Sequence, residues 1–155
     1  MQDSNNRRPR VGDSRPNTQN SFSNNGNSNI VDFMNEFKKE WITIGADKEM
    51  VTFVEKAGKY MARNGLTNSK IRSIYGEIKR IQMSEFEKEK TSFYLLKPKV
   101  AYALGRDGNN QGLKLFKEIF DNSFPYVTDT KTYKNFCNLI EAVLAYHKAY
   151  GGKDD

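Results

Sequence analysis

The chain has 155 residues and a formal net charge of +6, with 28% charged and 37% hydrophobic residues. This length fits one domain with an additional segment, and the positive balance favours an acidic partner such as nucleic acid. A single cysteine excludes an intramolecular disulfide framework, and no apolar run reaches the ~18 residues of a membrane span. We therefore expect a cytoplasmic protein without membrane contact.

Residues 1–29 consist almost entirely of Asn, Ser, Gly, Gln, Arg and Pro. Such a segment cannot bury enough apolar surface to offset the entropy of ordering, so we expect a disordered polar tail. Its basic residues are Arg7, Arg8, Arg10 and Arg15. The tail is interpreted either as an inert solubilising extension or as a flexible basic arm that touches nucleic acid. Residues 30–155 form the predicted helical domain.

Two helices are predicted at the start of this domain. The first ends near Gly45, and its apolar face is formed by Val31, Met34, Phe37 and Trp41. Asp47 can cap the second helix, because a carboxylate accepts hydrogen bonds from the first free backbone N–H groups. Asn64 and Gly65 are typical of a helix end, since glycine adopts the left-handed conformation readily.

A third helix is predicted over residues 68–83, capped by Thr67. Its apolar face is formed by Ile71, Ile74, Ile78 and Ile81. The charged continuation to about Lys90 is interpreted as a solvated turn or helix end. Pro98 suits the first turn of the next helix, where its missing N–H would be unpaired in any case.

Two further helices are predicted, of which the final one is the clearest. One is predicted before Pro125, with an apolar face of Leu113, Phe116, Ile119 and Phe120. The other begins near Thr130 and ends at Gly151 and Gly152. No segment shows the alternation typical of a strand. The predicted fold class is therefore all-α, a compact bundle of about five to six helices with a disordered N-terminal tail.

Two helical segments, residues 68–83 and 95–106, each carry basic residues on a face that is separate from the apolar one. We call them the basic stripes. When basic and apolar residues lie on different faces of a helix, the basic face can bind a phosphate backbone while the apolar face packs in the core.

The sequence shows no set of catalytic or metal-binding residues, so we expect neither an enzyme nor a cofactor. His147 lies on the apolar side of the last helix and is interpreted as a core residue. With one histidine and one cysteine, no zinc cluster is possible. Cys137 lies at the edge of the same apolar face and is a poor candidate for a nucleophile.

Three blocks in order resemble a known family. They read GLTNSKIRSIYGEIKRIQ, FYLLKPKVAYALGRD and NFCNLIEAVLAYHKAYGGKD. Together they are similar to the small subunit of type III-A CRISPR effector complexes over roughly residues 66–155. The resemblance implies a non-catalytic helical subunit that acts in antiviral defence.

The same resemblance implies the partners and the binding residues. The partners would be the guide RNA and target RNA, the backbone and large subunits of the complex, and other copies of this chain. Several copies would stack and grip the backbone of the guide–target RNA duplex. The basic positions of the matched blocks are Lys70, Arg72, Lys79, Arg80, Lys97, Lys99 and Arg106.

Two other functions remain open from the sequence. One is a DNA-binding regulator of helix-turn-helix type, with residues 69–82 as the recognition helix and Asn68 and Arg72 facing base edges. The other is a structural scaffold whose charges only keep it soluble.

Two residues within the stripes also have two interpretations each. Gly76 either packs against another helix of the chain or leaves bare backbone for a strand or a neighbouring subunit. Tyr102 either stacks on a base or ribose or is a half-buried tyrosine that uses its hydroxyl group.

Overall fold

A computed structural model of the chain describes residue 12 and residues 23–155. Over these residues the chain forms seven α-helices and two short 3-10 turns, with no β-strand. The helices are α1 (Ser23–Asn35), α2 (Glu40–Thr43), α3 (Lys48–Arg63), α4 (Asn68–Gln82), α5 (Lys90–Arg106), α6 (Gln111–Ser123) and α7 (Thr130–Ala149). The predicted all-α fold class is confirmed. None of the helices described here is long and apolar enough to cross a membrane.

Helix α7 lies at the centre of the bundle and packs against α2, α3 and α4. Its core side chains, among them Phe136, Ile140 and Val143, are fully buried. Its contact with α3 is close at Gly58, where a Cβ atom would lie 2.6 Å from the Cβ atom of Tyr146. The glycine therefore sets the distance between these two helices of the core.

An aromatic cluster fixes the position of α5. Phe93 of α5 packs edge to face on Phe136 of α7, with ring centroids 5.9 Å apart, and stacks on Phe124 at 4.8 Å. The hydroxyl group of Tyr133 donates a hydrogen bond to the Ile78 carbonyl oxygen of α4 at 2.6 Å. Helices α4 and α5 are thus both held against α7, and they lie next to one another.

The predicted first helix is divided into two. Helix α1 ends at Asn35 and α2 begins at Glu40, because Trp41 turns into the core to pack on Phe53 at 5.0 Å between ring centroids. Helix α1 also begins at Ser23, before the expected domain boundary at residue 30. Apart from residue 12, the part of the expected tail that precedes α1 lies outside the described residues.

Helix α4 ends at Gln82, one residue before the predicted end. The charged continuation forms a 3-10 turn, Phe86–Lys88, in agreement with the predicted turn, but Phe86 is buried in it rather than solvated.

The expected position of Pro98 in the first turn of the next helix is wrong. Pro98 lies inside α5, which begins at Lys90. The helix continues through the proline because Phe93 and Leu96, which precede it, are already buried on the core face. Pro98 has no N–H group to donate to the Tyr94 carbonyl oxygen. Tyr94 is an exposed residue, so water can donate to this carbonyl instead.

The C-terminal segment caps helix α4. The backbone N–H groups of Asn68 and Ser69 donate hydrogen bonds of 2.9 Å to the carbonyl oxygens of Lys153 and Asp154. The Thr67 side chain makes no capping hydrogen bond, so that prediction is wrong. The C-terminal carbonyls satisfy the donors that a capping side chain would otherwise accept.

The predicted core position of His147 is confirmed. The ring is fully buried, and its Nε2 atom lies 2.7 Å from the Leu66 carbonyl oxygen. A Cβ atom at Gly152 would lie 2.2 Å from the His147 ring. The glycine therefore lets the C-terminal segment pass directly over the buried histidine.

The predicted cap at Asp47 is confirmed and has a second role. Its Oδ1 atom accepts hydrogen bonds from the Met50 backbone N–H at 2.8 Å and from the Trp41 indole N–H at 3.0 Å.

We expect Asp47→Ala to lower the free energy of unfolding by about 2 kcal/mol, because α3 loses its cap and a buried indole loses its acceptor. Urea unfolding followed by circular dichroism measures the change. Asp47→Asn keeps the acceptor and should restore most of the stability; equal stability of the alanine variant and the wild type would contradict this role.

Candidate nucleic-acid interface

A groove runs between α4 and α5, with a volume of about 770 Å³. We call it the α4/α5 groove. Buried Ile74 lies at its base. Its polar lining consists of Ser69, Lys70, Ser73, Lys99, Tyr102, Arg106 and Asp107. The groove therefore joins one part of each basic stripe into a single concave surface.

The position of these side chains follows from the apolar faces of the two helices. Helix α4 buries its isoleucines, which leaves Lys70 and Ser73 on the flank that faces α5. Helix α5 buries Phe93, Leu96 and Val100. Since α5 makes a full turn every 3.6 residues, Lys99, Tyr102 and Arg106 then share the side that faces α4.

Lys70 is held by an acidic residue at the end of the groove. Its Nζ atom lies 2.7 Å from Oδ2 of Asp107, and both side chains are about one third exposed. The Lys70 ammonium, and after it the Asn110 amide, hold the pKa of the Asp107 carboxyl group below its usual range. Lys70 therefore contributes less free positive charge to the groove than its formal charge suggests.

Lys99 and Arg106 are the two other cations of the α4/α5 groove. Both are exposed, and neither forms a salt bridge with any residue in the described part of the chain. The Arg106 guanidinium carbon lies 5.8 Å from the centre of the Tyr102 ring. Arg80, and after it Lys99, lower the pKa of the Glu77 carboxyl group, but neither Lys99 nor Arg106 has to break a salt bridge before it binds a phosphate.

A second groove, of about 510 Å³, runs between α4 and α7. We call it the α4/α7 groove. It contains Arg72 together with Lys148, which lies 3.5 Å from Asp154. The Asn68 amide, then Lys148 and Arg72, lower the pKa of the Asp154 carboxyl group. The carboxylate reduces the positive charge of this groove and makes it a poorer anion site than the first.

Lys79 and Arg80 are charge-compensated within the chain. Lys79 forms an ion pair with Glu141 of α7, which raises the pKa of the lysine. The Arg80 guanidinium lies between two carboxylates, 2.7 Å from Glu77 and 3.1 Å from Glu89, and these hydrogen bonds raise its pKa. Both cations stabilise contacts between elements of the bundle.

Lys97 lies apart from the other predicted binding residues. It is two positions from Lys99, which places it about 200° away around the helix. Its Nζ atom lies 5.2 Å from the centre of the Phe124 ring. The structure thus brings together Lys70, Lys99 and Arg106, places Arg72 beside Lys148, and separates Lys97 from both grooves.

Gly76 lies on the exposed face of α4 between the two grooves. Apart from its chain neighbours and the adjoining backbone of its own helix, no atom of the described residues lies within 4 Å of the position that its Cβ atom would occupy. Close packing against another helix of the same chain is therefore not the reason for this glycine. A bare helix backbone remains at the centre of the outer face.

The described residues contain no group of three or more His, Cys, Asp or Glu side chains that could hold a metal ion. Burial raises the pKa of the Cys137 thiol to about 11. The thiolate is therefore scarce near neutral pH, which disfavours a nucleophilic role for this residue.

In a comparison with known protein families, the model described as Csm2 Type III-A matches residues 46–153. No curated protein and no solved structure matches the chain significantly. The matched region contains both basic stripes and both grooves, and it ends within the C-terminal segment that caps α4.

Proposed function

The chain belongs to the Csm2 type III-A family and is a small subunit of type III-A CRISPR effector complexes, and from this premise we propose that it grips the phosphate backbone of the guide–target RNA duplex. Subunits of this family are generally structural and non-catalytic, and they act within an assembled effector complex. The proposed binding surface is the α4/α5 groove.

The observation that carries the proposal is the pair of cations in this groove. Lys99 and Arg106 project from one side of a rigid helix, and Lys70 faces them from α4. A duplex whose sequence is read by base pairing needs a protein that contacts phosphates and sugars without reading bases. Lysine and arginine on fixed helices meet that need, and each phosphate they neutralise adds salt-sensitive affinity.

The remaining basic residues take weaker parts in the proposal. Arg72 and Lys148 would extend the contact along the α4/α7 groove. Lys79 and Arg80 must first give up a carboxylate before they can bind a phosphate. Lys97 would touch RNA only where the strand passes around α5.

We also propose that several copies of the chain stack beside the backbone and large subunits of the complex. Support comes from the exposed apolar side chains Tyr94 and Leu95 at the start of α5, which are 55% and 54% exposed. At Gly76 no side chain covers the backbone of α4, so a neighbouring molecule can come close to the helix there as well. Such faces suit protein neighbours, and none of these three residues lines the groove proposed for RNA.

The structure offers little support for a DNA-reading helix. In a helix-turn-helix protein the start of the recognition helix contacts base edges. Here the backbone of Asn68 and Ser69 is covered by the C-terminal segment, and the Asn68 amide donates a hydrogen bond of 2.8 Å to Asp154. The Asn68 side-chain amide is therefore already hydrogen-bonded within the chain and would have to break this bond to contact a base edge.

Binding of the full chain to nucleic acid duplexes tests the proposal. An RNA duplex, a DNA duplex of the same sequence and RNA duplexes of unrelated sequence would be compared by fluorescence anisotropy at several salt concentrations. We expect similar affinity for all RNA duplexes, with log K falling linearly as log salt rises. Sequence-selective binding to the DNA duplex would instead support a regulator, and an affinity for RNA that salt does not change would contradict a phosphate contact.

A further inference from the structure

Tyr102 is exposed in a way that its packing does not explain. Its side chain is 68% exposed at the edge of the α4/α5 groove. The Tyr133 hydroxyl group donates a hydrogen bond to the Ile78 carbonyl oxygen, and the Tyr150 hydroxyl group donates one to the Glu55 carboxylate. The Tyr102 hydroxyl has no such partner among the described residues, so the interpretation of a half-buried, hydrogen-bonded tyrosine is wrong.

The surroundings of the ring are cationic. Lys99 lies one turn before Tyr102 and Arg106 one turn after it, so the ring lies between two positive charges on one side of α5. Lys70 faces the ring from α4, across a groove whose volume of about 770 Å³ falls within the range of small-molecule sites. An exposed aromatic face between cations is the arrangement that binds a nucleotide outside a helical stack.

A fully paired duplex cannot use this ring. Its bases are stacked on one another, so only phosphates, sugars and base edges reach a protein surface. Phosphate contacts alone would be served by Lys99 and Arg106 without an aromatic neighbour. The exposed ring therefore points to a base that has left the stack.

We propose that the α4/α5 groove receives one unpaired nucleotide of the bound RNA, with its base stacked on Tyr102 and its phosphates held by Lys99 and Arg106. This inference rests on the proposed function, and it adds the conformation of the RNA that the site selects. The recognition does not depend on base identity, since every base presents an aromatic face.

The test compares a fully paired RNA duplex with the same duplex carrying a single unpaired nucleotide at its centre. The full chain should bind the bulged duplex about tenfold more tightly, measured by fluorescence anisotropy. Tyr102→Ala should remove this preference while the affinity for the paired duplex stays unchanged. Tyr102→Phe keeps the ring and should keep the preference. Tyr150→Ala, at an exposed tyrosine just after α7 and outside both grooves, is the matched control and should behave as the wild type.

Each other result decides against the inference. Equal affinity of the wild type for both duplexes would overturn it and leave the proposed function standing. Absence of binding to either duplex would overturn the proposed function as well. A preference that persists in Tyr102→Ala, with weaker assembly of that variant into the effector complex, would assign Tyr102 to a protein neighbour instead.

Discussion

Replacing Lys99 and Arg106 together by glutamate should lower the affinity of the full chain for an RNA duplex by about a hundredfold. Each substitution removes a charge-assisted hydrogen bond to phosphate and adds a negative charge that repels the backbone. Neither residue forms a salt bridge within the described part of the chain. The fold should therefore remain intact, which circular dichroism and thermal unfolding can verify.

The salt dependence of this double variant is as informative as its affinity. The slope of log K against log salt should become less steep by about one unit for each phosphate that the variant can no longer bind. Lys48→Glu combined with Lys134→Glu makes the same change in net charge at exposed positions outside the groove. If this control loses as much affinity as the groove variant, net charge and not the groove holds the RNA.

Alanine at position 58 should destabilise the protein by about 2 kcal/mol. The added Cβ atom would lie 2.7 Å from the His147 backbone nitrogen and 2.8 Å from the Val143 carbonyl oxygen. These are backbone atoms of α7, so no change of rotamer relieves the clash and the two helices must separate. The loss exceeds the gain in helix propensity that alanine brings, which is about 1 kcal/mol.

Gly76→Ala is the matched control, since it makes the same substitution in a helix with open space around the new atom. It should stabilise the isolated chain by about 1 kcal/mol through helix propensity alone. Urea unfolding of both variants, followed by circular dichroism and by Trp41 fluorescence, gives the two free energies. Equal stability of the two alanine variants would show that α3 and α7 do not depend on close contact at Gly58.

The parts of the fold that the sequence predicted well depend on local interactions. Asp47 and the first turn of α3 lie next to one another in the chain, and the apolar face of α7 repeats at helical spacing throughout. The errors arose from distant contacts. Helix α1 is separated from α2 because Trp41 packs on Phe53, and α4 is capped by the C-terminal segment rather than by Thr67.

For the candidate site, the sequence predicts the position of the basic residues on their helices but not which of them are paired with carboxylates. Periodicity showed that basic residues lie apart from the apolar faces of α4 and α5. The ion pair between Arg80 and Glu77 could have been foreseen, because the two residues are three positions apart on one helix. Glu141 and Asp107 lie far from their partners in the sequence, so only the fold reveals that Lys79 and Lys70 are paired.

The central claim, that the α4/α5 groove holds RNA in the assembled complex, is most directly tested by photo-crosslinking. A benzophenone amino acid would replace Ser73, which is exposed in the groove and uncharged, or Asn138, an exposed residue of α7 outside it. In a complex assembled with labelled guide and target RNA, irradiation should crosslink position 73 to RNA and leave position 138 without labelled RNA. Crosslinks from position 73 to protein subunits alone would contradict the account.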